Sequence, residues 1–303
     1  MRILNTVIYL LVIILFVPAC DLLDVSGDGQ KNLTYPLREG NVWEYDREFG
    51  TYNFRTFENP DSILESEEMF VHAQSTVRSN GMVTLDAFAN IPDAVIELEQ
   101  TYIEEWDSFE LTSWNYYTQT GDGLYLVGYK SASGASAMPK ITAENYENND
   151  DFYILFDGKY FRSVRAVSEY VEFMVKLHYD DSGDFIIEDN PPKVIPRYLN
   201  TGAQWTYRSK GNPWRVDKRI LGKEIIEGPA GQFDCYKVQW LVDLSDTGEW
   251  DRDVVFYDYF SNEGLVKREY YFKDQIWMTS RSPEPAGYVD VHDFSVLTGY
   301  EVR

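Results

Sequence analysis

Polar and apolar residues alternate along much of this chain. From Val171 to Tyr179 one face carries Val171, Phe173, Val175, Leu177 and Tyr179, and the other carries Glu172, Met174, Lys176 and His178. A period of two predicts a strand with one buried side. Val216 to Ile226, with Lys218, Arg219, Lys223 and Glu224, and Tyr236 to Val242 read as further strands of a meander. One stretch breaks the rule. Ile91, Val95, Leu98, Tyr102, Trp106 and Phe109 recur at helical spacing opposite Glu97, Glu99, Glu104 and Glu105, which predicts a single helix in an otherwise mainly β protein.

The pattern also repeats. Tyr35-Pro36-Leu37-Arg38-Glu39-Gly40-Asn41-Val42-Trp43-Glu44-Tyr45 returns as Pro196-Arg197-Tyr198-Leu199-Asn200-Thr201-Gly202-Ala203-Gln204-Trp205-Thr206-Tyr207, with Gly, Trp and Tyr at the same spacing. Each copy predicts a proline leading into an extended segment, a turn at Gly40 or Gly202, and a strand with Trp and Tyr on one face. A looser echo follows in each half. Tyr116-Tyr117 before Gly121-Asp122-Gly123-Leu124-Tyr125-Leu126-Val127 parallels Tyr257-Asp258-Tyr259 before Asn262-Glu263-Gly264-Leu265-Val266, and both predict two strands joined by a glycine turn. The paired prolines of Asp189-Asn190-Pro191-Pro192 mark the join, giving a first β domain over 35–190 and a second over 191–303. Gly40 and Gly123 lie 83 residues apart, and Gly202 and Gly264 62 apart, so the first copy carries an insertion, placed around residues 91–109.

Within the second half, Gly231-Gln232-Phe233-Asp234-Cys235-Tyr236-Lys237-Val238 and the later Gly264-Leu265-Val266-Lys267 resemble bacterial lipoproteins with a curved antiparallel sheet, similar to the lipoprotein-carrier (LolA/LolB-like) half-barrel. That resemblance implies two tandem antiparallel half-barrel domains. Its motifs are structural, so it transfers no catalytic residue.

The amino terminus has a different character. Arg2, an apolar run from Val7 to Val17, and Val17-Pro18-Ala19-Cys20 form a secretory signal whose end resembles the lipobox of bacterial lipoproteins. Residues 1–19 are then a signal peptide, Cys20 is the lipidated first residue, and 20–34 is a polar tether about 20 Å long. An apolar run of about 12 residues is shorter than the ~20 that span a bilayer. Cleavage leaves 50 acids against 26 bases, a net of −24, which excludes nucleic acid as a partner and makes the lipid the hold on the membrane. Aspartate after Cys20 does not distinguish the outer from the inner membrane. With Cys20 acylated, Cys235 has no intrachain disulfide partner, and its alternating context predicts a buried thiol.

Candidate chemistry is sparse. The chain contains no Gly-x-Ser-x-Gly, phosphate loop or dinucleotide fingerprint, and Ser131 to Ser136 is a small-residue loop without the context of a nucleophile elbow. His72, His178 and His292 stand far apart in sequence, so no metal or cofactor is implied. Asp24, Ser26 and Asp28 begin like a calcium loop, but Tyr35 stands where its bidentate Glu belongs. The clusters Asp180 to Asp184 and Asp243 to Glu249 read as hairpin turns, with calcium at the second as the rarer alternative. The 23 Tyr, 17 Phe and 8 Trp are the remaining constellation. Trp43, Tyr45, Trp205, Tyr207 and Trp240, with Trp250 and Trp277, are candidates to line a concave sheet that receives a lipid, glycan or peptide. The expectation is a non-catalytic, membrane-anchored envelope lipoprotein that binds an apolar or amphipathic ligand or a partner protein. The rivals are an envelope glycan hydrolase using paired carboxylates and a structural or assembly subunit.

Overall fold

The structure, a computed structural model, describes residues 32–64, 69–82, 91, 93–103, 109–131, 152–156, 159–161, 186–209, 215–245, 247–279 and 284–303. The signal segment, Cys20 and the tether up to residue 31 lie outside these residues, as do the expected strand Val171 to Tyr179 and the cluster Asp180 to Asp184. Leu33–Arg303 form one compact unit.

Fifteen strands make up this unit: β1 (Val42–Thr56), β2 (Met69–Met82), β3 (Val95–Ile103), β4 (Phe109–Gln119), β5 (Gly123–Ser131), β6 (Phe152–Phe156), β7 (Lys159–Phe161), β8 (Ile186–Ile187), β9 (Lys193–Pro196), β10 (Gln204–Arg208), β11 (Arg215–Gly228), β12 (Gly231–Asp243), β13 (Val254–Ser261), β14 (Gly264–Thr279) and β15 (Gly287–Glu301). All belong to one antiparallel sheet, twelve of them in the order β10-β11-β12-β13-β14-β15-β1-β2-β3-β4-β5-β8, with β6 pairing with β14 and β7, and β9 with β5, off this path. The mainly β fold class therefore holds, and among the described residues there is no helix. The sheet curls into a barrel-like form. β9 pairs with β5, and Trp205 of β10 donates from Nε1 to the Lys193 carbonyl of β9 at 2.8 Å, which brings the two ends of the order together.

The repeat is visible as two five-stranded meanders, β1 to β5 and β10 to β14. Gly40 and Gly202 have φ values of +85° and +84°, the left-handed conformation that favours glycine, immediately before β1 and β10. β4 and β5 join at Gly121-Asp122 and β13 and β14 at Asn262-Glu263, as expected of both glycine turns. β15 runs on from the second meander and pairs with β1 over nearly its whole length, so the halves on either side of residue 190 share a continuous hydrogen-bond ladder.

Where residues 91–109 are described, the expected helix is replaced by strand β3 (Val95–Ile103), paired with β2 on one side and β4 on the other. Val95, Glu97 and Thr101 are buried, whereas Tyr102 is exposed. Glu97 and Glu99, two of the four glutamates that suggested a solvated helical stripe, share the inward phase with Val95 and Thr101, because this interior accepts charge. The extra length of the first meander lies partly elsewhere: residues 83–94 join β2 to β3, whereas Pro229-Ala230 alone join β11 to β12.

Trp43, fully buried, ties the two meanders together. Its Nε1 donates to the Glu263 carbonyl in the β13–β14 turn at 2.6 Å. Tyr45 reaches the same turn, its hydroxyl donating to the Leu265 carbonyl at 2.8 Å. Gly264 lies beneath the indole with φ +121°, and a Cβ there would stand 2.9 Å from Trp43 Nε1. Gly264→Ala is therefore expected to destabilise the fold by on the order of 1–3 kcal/mol, read as a lowered thermal midpoint.

Cys235 is buried, as its context predicted. Burial and the charges of Asp234, Glu263 and Glu224 push its thiol up to about 12. A thiol held protonated is a poor nucleophile. It should stay unmodified by a thiol reagent at pH 8 in the folded chain and react fully once urea has unfolded it.

Candidate functional site

The barrel interior is hollow between its apolar clusters. A cavity of about 90 Å³ is bordered by side chains from both meanders. About one water-sized sphere's volume suffices for a bound water, so this space holds several waters or a small organic group. Aromatic and aliphatic walls come from Tyr35, Tyr45, Tyr117, Tyr207, Trp240 and Phe260, with Leu124, Leu126, Val194 and Leu265 beside them. Arg47, Glu97, Glu99, Asn115, Lys218 and Arg268 supply polarity.

Two ionic centres stand at this wall. Asp258, fully buried, accepts from Arg268 Nε at 2.7 Å and Trp240 Nε1 at 2.8 Å. Lys218 Nζ lies 3.6 Å from the same carboxylate and 3.8 and 4.3 Å from the centres of the Trp240 and Tyr207 rings. An ammonium over two ring faces gains cation–π attraction that partly offsets its desolvation. Burial raises the Asp258 carboxyl, but the charges of Arg268 and Lys218 outweigh it and hold the group below the ordinary carboxylate range. At the second centre Arg47 reaches Glu99 at 3.5 Å and Asp293 at 3.4 Å. Ser75 and Thr101 share a hydrogen bond of 2.6 Å nearby on β2 and β3.

The tyrosines report the same field. Burial above all, and then Glu97, raises Tyr35, Tyr45 and Tyr117 well above the usual phenol value, with Arg268 acting in the opposite sense on each. Burial likewise pushes Tyr207 up to about 12. All four hydroxyls stay protonated at neutral pH and serve as neutral hydrogen-bonding groups.

Of the aromatic residues expected to meet a ligand, Tyr45, Tyr207 and Trp240 border the cavity. Trp43 packs behind it, stacked on Tyr35 with ring centres 6.0 Å apart. Trp205 faces the closure between β9 and β10. Trp250 lies under Arg215, 4.3 Å from its ring centre, and Trp277 meets Phe54 edge to face at 5.3 Å. The interior around these aromatic residues is mixed, with charged and amide groups among the apolar walls. Arg47, Glu97, Glu99, Asn115, Lys218 and Arg268 escaped that reading. Their signal was parity, since Lys218 falls between Val216 and Ile220 and Asp258 between Phe256 and Phe260, on the buried phase of their strands.

Other candidates find plainer places. His72 is exposed, 3.9 Å from Glu48. His292 is stacked between Tyr271 and Phe294, with ring centres 4.4 and 5.0 Å away, and burial pushes its imidazole down to about 4. Asp243 spends its carboxylate on its own loop, accepting from the Thr247 and Gly248 amides at 3.0 and 2.7 Å. No group of three metal-ligating side chains occurs among the described residues.

Residues 208–282 match a family model described as DUF3108-like. The match spans about a quarter of the chain and contains Lys218, Trp240, Asp258 and Arg268, one of the two ionic centres. Two solved structures are similar over most of their length. One is described as an exported protein with a YmcC-like fold from Bacteroides fragilis, 14% identical, with a TM-score of 0.29, covering 89% of this chain and 99% of that one. The other is described as a lipoprotein from Parabacteroides distasonis, 16% identical, with a TM-score of 0.31 and the same coverages. Neither description names a lipoprotein carrier, and likeness at this level says nothing about activity. No curated protein matches the chain.

Proposed function

We propose that this protein is an exported lipoprotein, held at the cell envelope by acylated Cys20, that binds a small amphipathic molecule inside its barrel. The single observation that carries the binding half is the mixed lining of the interior, with aromatic and aliphatic walls around a few charged and amide groups, the usual character of a small-molecule site. A cavity this small takes a compact molecule or one end of a longer one, and not a bare apolar chain, which would offer nothing to the charged and amide groups of its wall.

A hydrolase is the second reading, favoured by Glu97 and Glu99 standing two residues apart on one face of β3 beside the cavity. Against it, the Glu99 carboxylate is already engaged by Arg47 at 3.5 Å.

Two experiments test the proposal. Metabolic labelling with radioactive palmitate should mark the chain in its host, and Cys20→Ala should abolish the label; equal labelling of the variant contradicts the anchor. A bound ligand stabilises the native state by about 2.7 kcal/mol at a hundred times its Kd. The chain purified from its host should therefore melt at a higher temperature than the same chain unfolded, dialysed and refolded. Identical midpoints contradict an occupied interior.

A further inference from the structure

We infer that the barrel cavity recognises the protonated amine of its ligand, at a wall formed by Glu97, Glu99 and Asn115 and surrounded by Tyr35, Tyr45 and Tyr117. This deepens the proposed binding function and rests on it.

The first observation is Asn115. It is 5% exposed, lines the cavity, and its Oδ1 is a buried oxygen with no hydrogen-bond partner. A buried amide oxygen left without a donor costs about 1–3 kcal/mol, so its persistence beside open space points to a donor that arrives with a ligand. The second observation is its setting. Asn115 is the cross-strand neighbour of Glu97, a carboxylate only 3% exposed, and Glu99 follows on the same face of β3. The wall thus offers oxygen acceptors to a group rich in N–H donors.

Charge gives the same sign. Among the groups that line the cavity, Glu97 and Glu99 stand with Arg47, Lys218 and Arg268; counting also Asp258 and Asp293, which pair with those cations from outside the lining, the set carries one negative charge in excess, which a monocation would balance. The chain as a whole carries −23, and a field of that sign concentrates cations at a low-dielectric opening. Shape adds selectivity. Tyrosine faces attract an ammonium through their ring quadrupoles, and all three border the same cavity. Leu124, Leu126, Phe260 and Leu265 leave an apolar place for the remainder of the molecule. The class that fits is a small primary amine with a short apolar body.

The test uses the full-length chain in lipid nanodiscs and three probes of equal length: n-butylammonium chloride, n-butanol and sodium butyrate. Saturation-transfer NMR titrations give each affinity, with Trp240 fluorescence as a second readout of the cavity. The ammonium should bind at least ten-fold tighter than either other probe. Glu97→Gln should erase that preference, whereas Glu44→Gln, which removes the same charge from an exposed face of β1, should leave it intact. Butanol or butyrate binding as well as the ammonium would overturn the amine assignment while leaving the cavity as a ligand site. Absence of binding by all three would overturn both. The comparison of probes on the unaltered chain decides the matter even if Glu97→Gln does not fold.

Discussion

Asp258→Asn is expected to cost the fold about 3–5 kcal/mol, because it removes a fully buried carboxylate charge that both Arg268 and Lys218 face. Arg268 is bonded to this carboxylate at 2.7 Å, and Lys218, only 1% exposed, has it at 3.6 Å. An amide of the same shape keeps an acceptor for Trp240 but withdraws the negative charge that both cations face. Lys218→Met should cost markedly less, since Arg268 still neutralises Asp258 and a methionine fills the space between the Trp240 and Tyr207 rings. Urea denaturation of both variants checks the order, and equal losses would show that the two cations share the carboxylate evenly. The acid also sets a pH dependence. Its folded pKa lies below its unfolded value of 3.8, so the contribution is fully present at neutral pH and is lost only as pH falls below about 4 and through the lowered folded pKa.

The second large effect is expected at Trp43. Trp43→Ala removes a fully buried indole, its stack on Tyr35 and its hydrogen bond to the Glu263 carbonyl. Truncating a buried aromatic costs about 3–5 kcal/mol. Since this residue joins β1 to the β13–β14 turn, the loss falls on the contact between the two meanders. Its repeat counterpart Trp205 is only half-buried, so Trp205→Ala should cost less despite an equivalent bond to the Lys193 carbonyl. Denaturant midpoints of the two variants test that order directly.

Much of the fold was legible because turns and strand phases are local. Gly40 and Gly202 announce turns that only their left-handed backbone explains, and the turns before Gly123 and Gly264 place two hairpins correctly. What was not legible was the meaning of a charge. Glu97 and Glu99 fit the wet side of a helix, since nothing local says that Arg47, 52 residues earlier in the chain and two strands away in the sheet, reaches Glu99. Lys218 and Asp258 were hidden in the same manner. Each occupies the apolar phase of its strand, a position that a wholly hydrophobic core would forbid and that a polar interior permits. Aromatic residues are ambiguous for the converse reason: a half-buried sheet selects Trp and Tyr for packing, and of the five candidates Tyr45, Tyr207 and Trp240 border the cavity while Trp43 and Trp205 do not.

The central claim is that the barrel interior is a ligand site, and native mass spectrometry of the full-length chain tests it most directly. The protein is extracted from its own host in mild detergent and compared with Val77→Phe, which narrows the cavity. A reproducible small-molecule adduct on the unaltered chain that is absent from Val77→Phe is the predicted result. The bare lipidated mass in every preparation of both would contradict it.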